Sequence, residues 1–341
     1  MKSLFILMLV TRMALAQDSI GTAVLIRQNG QENIKVSGRA TLPEGDEVNV
    51  HTNFRMASVS KQFTAACIIL LKNQGKLSYE DSLNTFFPDF KTGSNIRLKH
   101  LLTHTSGLQD YEGLIPSDQA GQVSDADVLR WVAGTDSTYF TPGTRYRYSN
   151  SGFCILSQVV EKVSGMPYAR FVKEFLLQPL GMDHSFIYEA GTSMPDRALG
   201  YALCDHKITP SDQSITSATK GDGCLYTSLA DYEKWMKAIT QNRLFDLKKE
   251  LQEVNYPIGQ GLSYGLGWFN ADGAEVFHTG STCGFSNVVW FTLDGRHALV
   301  YFSNLADYHA PAFDFEKELE AGRPATRRPA VSLKKILGLT D

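Results

Sequence analysis

The chain has 341 residues, of which 43% are hydrophobic, 20% charged and 11% aromatic. This composition excludes the disordered, collagen-like and coiled-coil classes, and the length can bury a sizeable core in one large or two medium domains. Lys plus Arg number 33 against 36 Asp plus Glu, so the net charge of −3 speaks against a nucleic-acid partner.

In chain order, residues 1–16 read as a signal peptide. Lys2 supplies the positive start, residues 4–10 are apolar, and Ala14-Leu15-Ala16 is a small-x-small cleavage site, although Arg12 interrupts the apolar tail. The apolar run is far short of the roughly 20 residues a bilayer needs. Cleavage before Gln17, a periplasmic or secreted mature protein and no stable membrane insertion are therefore expected. The five Cys would meet an oxidising compartment, but an odd number cannot all pair with one another. Cys67 lies in an apolar run and reads as a buried thiol. Whether Cys204 and Cys224 pair stays open. Cys204-Asp205-His206 is too thin for a metal site, and no metal or cofactor is expected.

Strand-like segments 22–28 and 32–37 flank Asn29-Gly30, a hairpin signal. Residues 58–74 read as a buried helix closed by Gly75, because 63–71 are apolar almost all round. Segments 125–133, 151–164 and 167–177 read as helices, and 228–240 opens on the capping pattern Ser228-x-x-Asp231. Two further strand pairs follow: 264–270 with 274–278 across Asp272-Gly273, and 287–292 with 297–303 across Asp294-Gly295. The expected fold is α/β (α+β): an antiparallel sheet flanked by helices and built from both chain ends, with an inserted all-helical domain. Residues 17–75 plus 201–341 would form the discontinuous α/β domain and 76–200 the helical one, with a ligand cleft between. An Arg- and Pro-rich stretch, 323–330, reads as an irregular connector.

Three short motifs carry chemistry. In Ser58-Val59-Ser60-Lys61, helical spacing puts the Lys61 amine one turn from the Ser58 hydroxyl. A desolvated Lys can take the serine proton, and a helix start offers free N–H groups to an oxyanion. Ser217-Ala218-Thr219-Lys220 and Ser332-Leu333-Lys334-Lys335 match the same spacing but open no apolar helix. An N-cap and a snorkelling Lys would explain Ser58 and Lys61 equally well. In Tyr148-Ser149-Asn150, a Lys beside the phenol would lower its pKa and let it shuttle protons. The Asn150 amide can accept from Lys and donate to a substrate carbonyl; alone, the motif also fits a core aromatic and an N-cap. His278-Thr279-Gly280 closes the strand 275–278. There His278 offers a polarising donor, Thr279 a hydroxyl, and Gly280 room for an extended substrate. The Ser281 amide would join that of Ser58 around an oxyanion. Lys91-Thr92-Gly93, in a polar loop, reads as a turn.

Together and in this order the motifs resemble the serine β-lactamase and penicillin-binding protein superfamily, in its class C β-lactamase-like branch with DD-peptidase, D-aminopeptidase and esterase relatives. The segments 54–64, 101–108, 148–153, 178–182 and 264–268 look like that family as well. The resemblance implies an acyl-enzyme on Ser58, proton handling by Lys61 and Tyr148, and acyl positioning by Asn150. It also implies an oxyanion hole from the Ser58 and Ser281 amides, with His104 in a structural turn. Class C β-lactamases carry Lys where His278 stands; a His is mostly neutral at pH 7. The expected function is thus an exported serine hydrolase acting on D-Ala-D-Ala-type peptides, β-lactams or small esters, with activity that responds to His278 titration. The alternative is a non-turnover penicillin- or peptidoglycan-binding or sensor protein.

Overall fold

The computed structural model describes residues 20–204, 207–259 and 261–306. The leader, Asp205, His206, the second decoy at Ser332 and the 323–330 connector lie outside the described residues. Both chain ends feed one eight-stranded sheet, in the order Gln31–Ser37, Thr22–Gln28, Ala298–Ser303, Phe285–Thr292, Glu275–Thr282, Trp268–Ala271, Leu262–Gly265, Tyr256–Gly259. Every neighbouring pair is antiparallel. The first strand alternates, with Ala23, Leu25 and Arg27 turned inward, as a half-buried strand must. Asn29 (φ 50°) and Gly30 (φ 83°) close its hairpin in the left-handed region, the conformation that matches strand twist.

Two expectations about the C-terminal strands change. Residues 264–270 are not one strand. Leu266 (φ 55°) and Gly267 (φ 78°) turn the chain back, so Trp268 pairs with Gly265 and Asn270 with Ser263. The turn is pressed onto the helix beside it: a Cβ on Gly267 would lie 2.6 Å from the Lys61 carbonyl. The strand expected to end at His278 runs on to Thr282, because His278 through Thr282 pair with Val289 through Phe285. Its other neighbour, Trp268–Ala271, reaches only Phe277. His278–Thr282 is therefore an open edge in the middle of the sheet.

Behind the sheet runs the helix Lys61–Asn73, with ten of its 13 residues buried. Burial of each large aliphatic side chain there contributes about 1.5–3 kcal/mol. Phe63 stacks on Trp235 at 4.2 Å. The buried Gln62 Oε1 accepts from the Tyr232 hydroxyl (3.0 Å) and the Trp235 indole (3.2 Å), which satisfies an oxygen the core would otherwise reject. Gly75, at φ 70°, ends the segment. Helices Asp125–Ala133 and Asn150–Ser164 stand on the other side. The helix expected over 167–177 is Tyr168–Val172, followed by a π turn, Lys173–Leu177. Phe186–Ile187 and Phe54–Arg55 flank Leu225–Thr227 in a small antiparallel sheet. All five Cys are free, four buried and Cys204 exposed, so Cys204 and Cys224 are not joined. Among the described residues no helix is long and apolar enough to cross a membrane.

Candidate active site

Ser58 lies in a 3-10 turn, Ala57–Ser60, that leads into the long helix. The preceding Ala57 has φ 50°, a region a residue with a Cβ enters only when its surroundings force it. Here they do. Phe54 and Arg55 pair with Thr227 and Tyr226, and the Met56 amide donates to the Leu225 carbonyl at 2.8 Å. The Leu225 amide donates to Ser60 Oγ at 3.1 Å, and Asn287 Nδ2 donates to the Arg55 carbonyl at 2.9 Å. From residue 52 to residue 69, Ser58 alone is not buried. An N-cap role fails, since Ser58 sits inside the 3-10 turn and the cap position of the helix falls to Ser60, which makes no capping bond.

Lys61 is fully buried. Its Nζ donates to Ser58 Oγ at 3.1 Å, to Asn150 Oδ1 at 2.9 Å and to the Asp222 carbonyl at 2.9 Å, the full donor complement of an ammonium. It is not a snorkelling side chain. The Tyr148 ring centre lies 5.0 Å from the same Nζ. Tyr148 Oη is buried, with the Ser58 hydroxyl and the Lys61 amine as its polar neighbours. Its pKa is raised rather than lowered: burial disfavours the phenolate, and the nearby Lys61 charge and Ser58 hydroxyl offset this only in part. The resting Tyr148 is a neutral phenol whose hydroxyl sits beside Ser58 and Lys61. Ser149, not Asn150, caps the helix, accepting from the Gly152 amide at 3.2 Å. That leaves the Asn150 carboxamide to bridge Lys61 and Glu112 Oε1, the latter at 2.9 Å.

His278 departs furthest from expectation. It is 1% exposed. Its Nδ1 bonds the Thr279 carbonyl at 2.6 Å, and its Nε2 lies 3.1 Å from the Tyr264 hydroxyl. A carbonyl can only accept, so Nδ1 carries the proton and Nε2 accepts from Tyr264. Burial, with the Lys61 charge behind it, lowers the His278 pKa to about 3. His278 is thus a neutral wall residue that shows the cleft no spare donor. Thr279 and Ser281 are the exposed side chains of this strand. Gly280 serves a different neighbour from the one anticipated. A Cβ there would meet the Met56 carbonyl at 2.2 Å, so the missing side chain lets the strand close on the turn that holds Ser58.

His104, at φ 56° and fully buried, belongs to a turn as expected. Its ring packs 4.2 Å from Tyr148 and 4.4 Å from Tyr264, and its Nδ1 accepts from the Ser149 amide at 3.1 Å. Burial holds its pKa well below the usual value. The decoys stay apart: Lys220 pairs with Glu189, Ser217 is buried against Ser214, and Lys91 pairs with the exposed Asp136. Glu112, Asp222 and Tyr264 touch the site without having been singled out by the sequence. Of these, Tyr264 opens the segment 264–268 that resembles the family; Glu112 and Asp222 had no such signal. Among the described residues no group of three or more His, Cys, Asp or Glu is placed to hold a metal.

A family model described as Beta-lactamase matches residues 9–323. Penicillin-binding protein 4* of Bacillus subtilis (strain 168) is 31% identical over 329 residues, covering 88% of this chain and 72% of its own length. A putative penicillin-binding protein PbpX of the same organism is 30% identical over 287 residues, covering 84% of this chain and 70% of its own. The crystal structure of a penicillin-binding protein from Bacillus halodurans superposes with a TM-score of 0.77 at 28% identity, covering 92% and 98% of the two chains. A D-amino acid amidase from Ochrobactrum anthropi SV3, complexed with L-phenylalanine amide, shares the fold at 20% identity (TM-score 0.76; 96% and 95% covered). With Ser58, Lys61 and Tyr148 drawn together on this scaffold, the chain belongs to the beta-lactamase family, within the serine β-lactamase and penicillin-binding superfamily.

Proposed function

We propose that this protein is an exported serine hydrolase that works through an acyl-enzyme on Ser58, with peptides and small esters as substrates ahead of β-lactams. The observation that carries this reading is the convergence of a solvent-reaching Ser58 hydroxyl, the Lys61 amine 3.1 Å from it and the buried Tyr148 hydroxyl beside both. The penicillin-binding and D-amino acid amidase relatives support it.

In the proposed cycle Lys61 first releases to solvent the proton it directs at Ser58 Oγ, and as the amine it then takes the Ser58 proton as Oγ bonds to the acyl carbon. The neutral Tyr148 phenol protonates the leaving atom as its bond to that carbon breaks. Lys61 then returns a proton to the phenolate, which leaves the ester and both groups as they began. Water reverses the sequence to free the acid. The backbone amides of Ser58 and Ser281 are the proposed oxyanion donors, and the exposed hydroxyls of Thr279 and Ser281 are the proposed contacts for the leaving side. A neutral His278 supplies no charge for a carboxylate, which is why β-lactams rank lower.

A fluorophosphonate probe should add one adduct, located by mass spectrometry on Ser58 and absent from Ser58→Ala. Labelling at another residue would overturn the assignment. Turnover is then read on a panel of penicillin, cephalosporin, D-Ala-D-Ala peptides and p-nitrophenyl esters. A stoichiometric burst without turnover on all of them would favour the penicillin-binding alternative. Export is checked by whether the mature protein begins at Gln17.

A further inference from the structure

We infer that His104 is the positioning residue of the proton donor: it clasps the chain on both sides of Tyr148 and so aims the phenol at the leaving atom. The inference rests on the acyl-enzyme reading above and adds the residue on which its protonation step depends.

Two bonds make the clasp. The His104 carbonyl accepts from the Arg147 amide at 2.9 Å, and His104 Nδ1 accepts from the Ser149 amide at 3.1 Å. Tyr148 is the residue between those two anchors, and its ring lies against the imidazole with the centres 4.2 Å apart and the planes 38° apart. One residue thus presents its main chain and its side chain to the same short segment. It does so from a left-handed backbone, φ 56°, which costs free energy in a residue with a Cβ. Neighbouring bonds hold it there. The His104 amide donates to the Leu101 carbonyl at 3.3 Å, the Thr105 amide to the His100 carbonyl at 2.8 Å, and the Gly143 amide to the Thr105 carbonyl at 2.8 Å.

The chemistry of the ring points the same way. Nδ1 receives an N–H, so the proton of the neutral imidazole sits on Nε2. Among the described residues Nε2 has no hydrogen-bond partner. The ring therefore spends its hydrogen bonding on the backbone next to Tyr148. It also packs 4.4 Å from Tyr264 and 5.2 Å from Phe153, so it cannot swing aside without opening a void in a close-packed wall. A leucine would fill that wall but leave the buried Ser149 amide without an acceptor. Tyr148 needs such a guide. Its hydroxyl must serve Ser58 and Lys61 and then the leaving atom, and a misplacement of about 1 Å in reacting groups costs on the order of a hundredfold in rate.

The test compares kcat/KM for p-nitrophenyl acetate and phenyl acetate. p-Nitrophenolate departs readily as the anion, whereas the more basic phenolate needs the proton that Tyr148 gives. His104→Phe keeps a ring and removes the acceptor. It should widen the preference for p-nitrophenyl acetate by about tenfold, and Tyr148→Phe should widen it in the same sense. Adding His104→Phe to Tyr148→Phe should widen it no further, because both act through one phenol. His104→Asn suits the left-handed turn and returns an oxygen acceptor, so it should recover most of the lost phenyl acetate rate. Equal losses on the two esters, an unchanged ratio in Tyr148→Phe, or a further widening in the double variant overturns the inference. Where His104→Phe does not fold, His104→Leu takes its place; failure of both shows that the clasp serves the fold rather than the phenol and overturns the inference too. Wild-type protein that labels on Ser58 with a fluorophosphonate but hydrolyses neither ester also overturns it. Absence of that labelling removes the acyl-enzyme reading itself.

Discussion

Ser58, Lys61 and His278 show how burial reassigns the same chemistry. Lys61 is fully buried, and its Nζ has three oxygens within hydrogen-bond reach. His278 has one carbonyl acceptor, that of Thr279, and its protonated form would put a second cation near Lys61. It stays neutral down to about pH 3. The consequence for stability has a definite sign. A His with a folded pKa below its usual 6.5 favours the native state above pH 6.5, and that contribution is lost as the pH falls from 6.5 toward 3. Relative to His278→Gln, wild-type protein should lose unfolding free energy over that window and match its pH slope above it, as measured by urea denaturation. Activity from pH 6 upward should show no limb that His278→Gln removes, contrary to what the motif alone suggests. Spacing made Ser58 and Lys61 legible because a residue and its neighbour three positions on share a helical turn. Glu112 was not legible, because the contact that recruits it spans 38 residues of chain, and the segment 264–268 resembled the family without showing that Tyr264 meets His278 across 14 residues.

Among the elements, the strand Glu275–Thr282 illustrates what periodicity misses. Its Thr279, Gly280 and Ser281 look like a strand-end turn because small polar residues dominate. They remain in the sheet because Phe285–Thr292 supplies a full run of partners. The open edge beyond Phe277 comes from the shortness of Trp268–Ala271, which in turn follows from the Leu266-Gly267 reversal. That reversal hides in an alternating run, Tyr264-Gly-Leu-Gly-Trp268, which reads equally well as straight strand. Gly280 is the point where strand and nucleophile turn meet. Gly280→Ala would place a Cβ 2.2 Å from the Met56 carbonyl, so one of the two must move. We expect a destabilisation of about 1–3 kcal/mol in thermal melts. The rate of fluorophosphonate labelling at Ser58 should fall more than thermal stability alone accounts for. An unchanged labelling rate would mean that the strand does not set the position of the turn.

At the scale of the whole molecule, a few buried polar ties hold the helical segment against the sheet side. Asp125, the first residue of its helix, accepts from the Lys220 amide at 2.7 Å and the Gly221 amide at 3.0 Å. The turn it grips continues into Asp222, whose carbonyl accepts from Lys61. Burial pushes the Asp125 carboxyl up to about 7, the mark of an acid kept for its acceptors rather than its charge. Asp125→Ala should orphan two buried amides and cost about 2–4 kcal/mol. Because the tie lies under the site, Ser58 labelling should slow as well; a neutral effect in denaturant titrations would show that other contacts carry the junction.

Local pattern alone determined the hairpin at Asn29-Gly30, the buried helix after Ser58, the helix from Asp125, the helix start at Ser228, and a sheet assembled from both chain ends. These depend on turn chemistry, capping and hydrophobic period, all of which are properties of neighbouring residues. The charge of His278, the neutral phenol of Tyr148, the partner of Gly280 and the carboxylate facing Asn150 were decided only in the folded molecule. Each depends on which distant groups exclude water from it, and desolvation has no signature in a linear sequence.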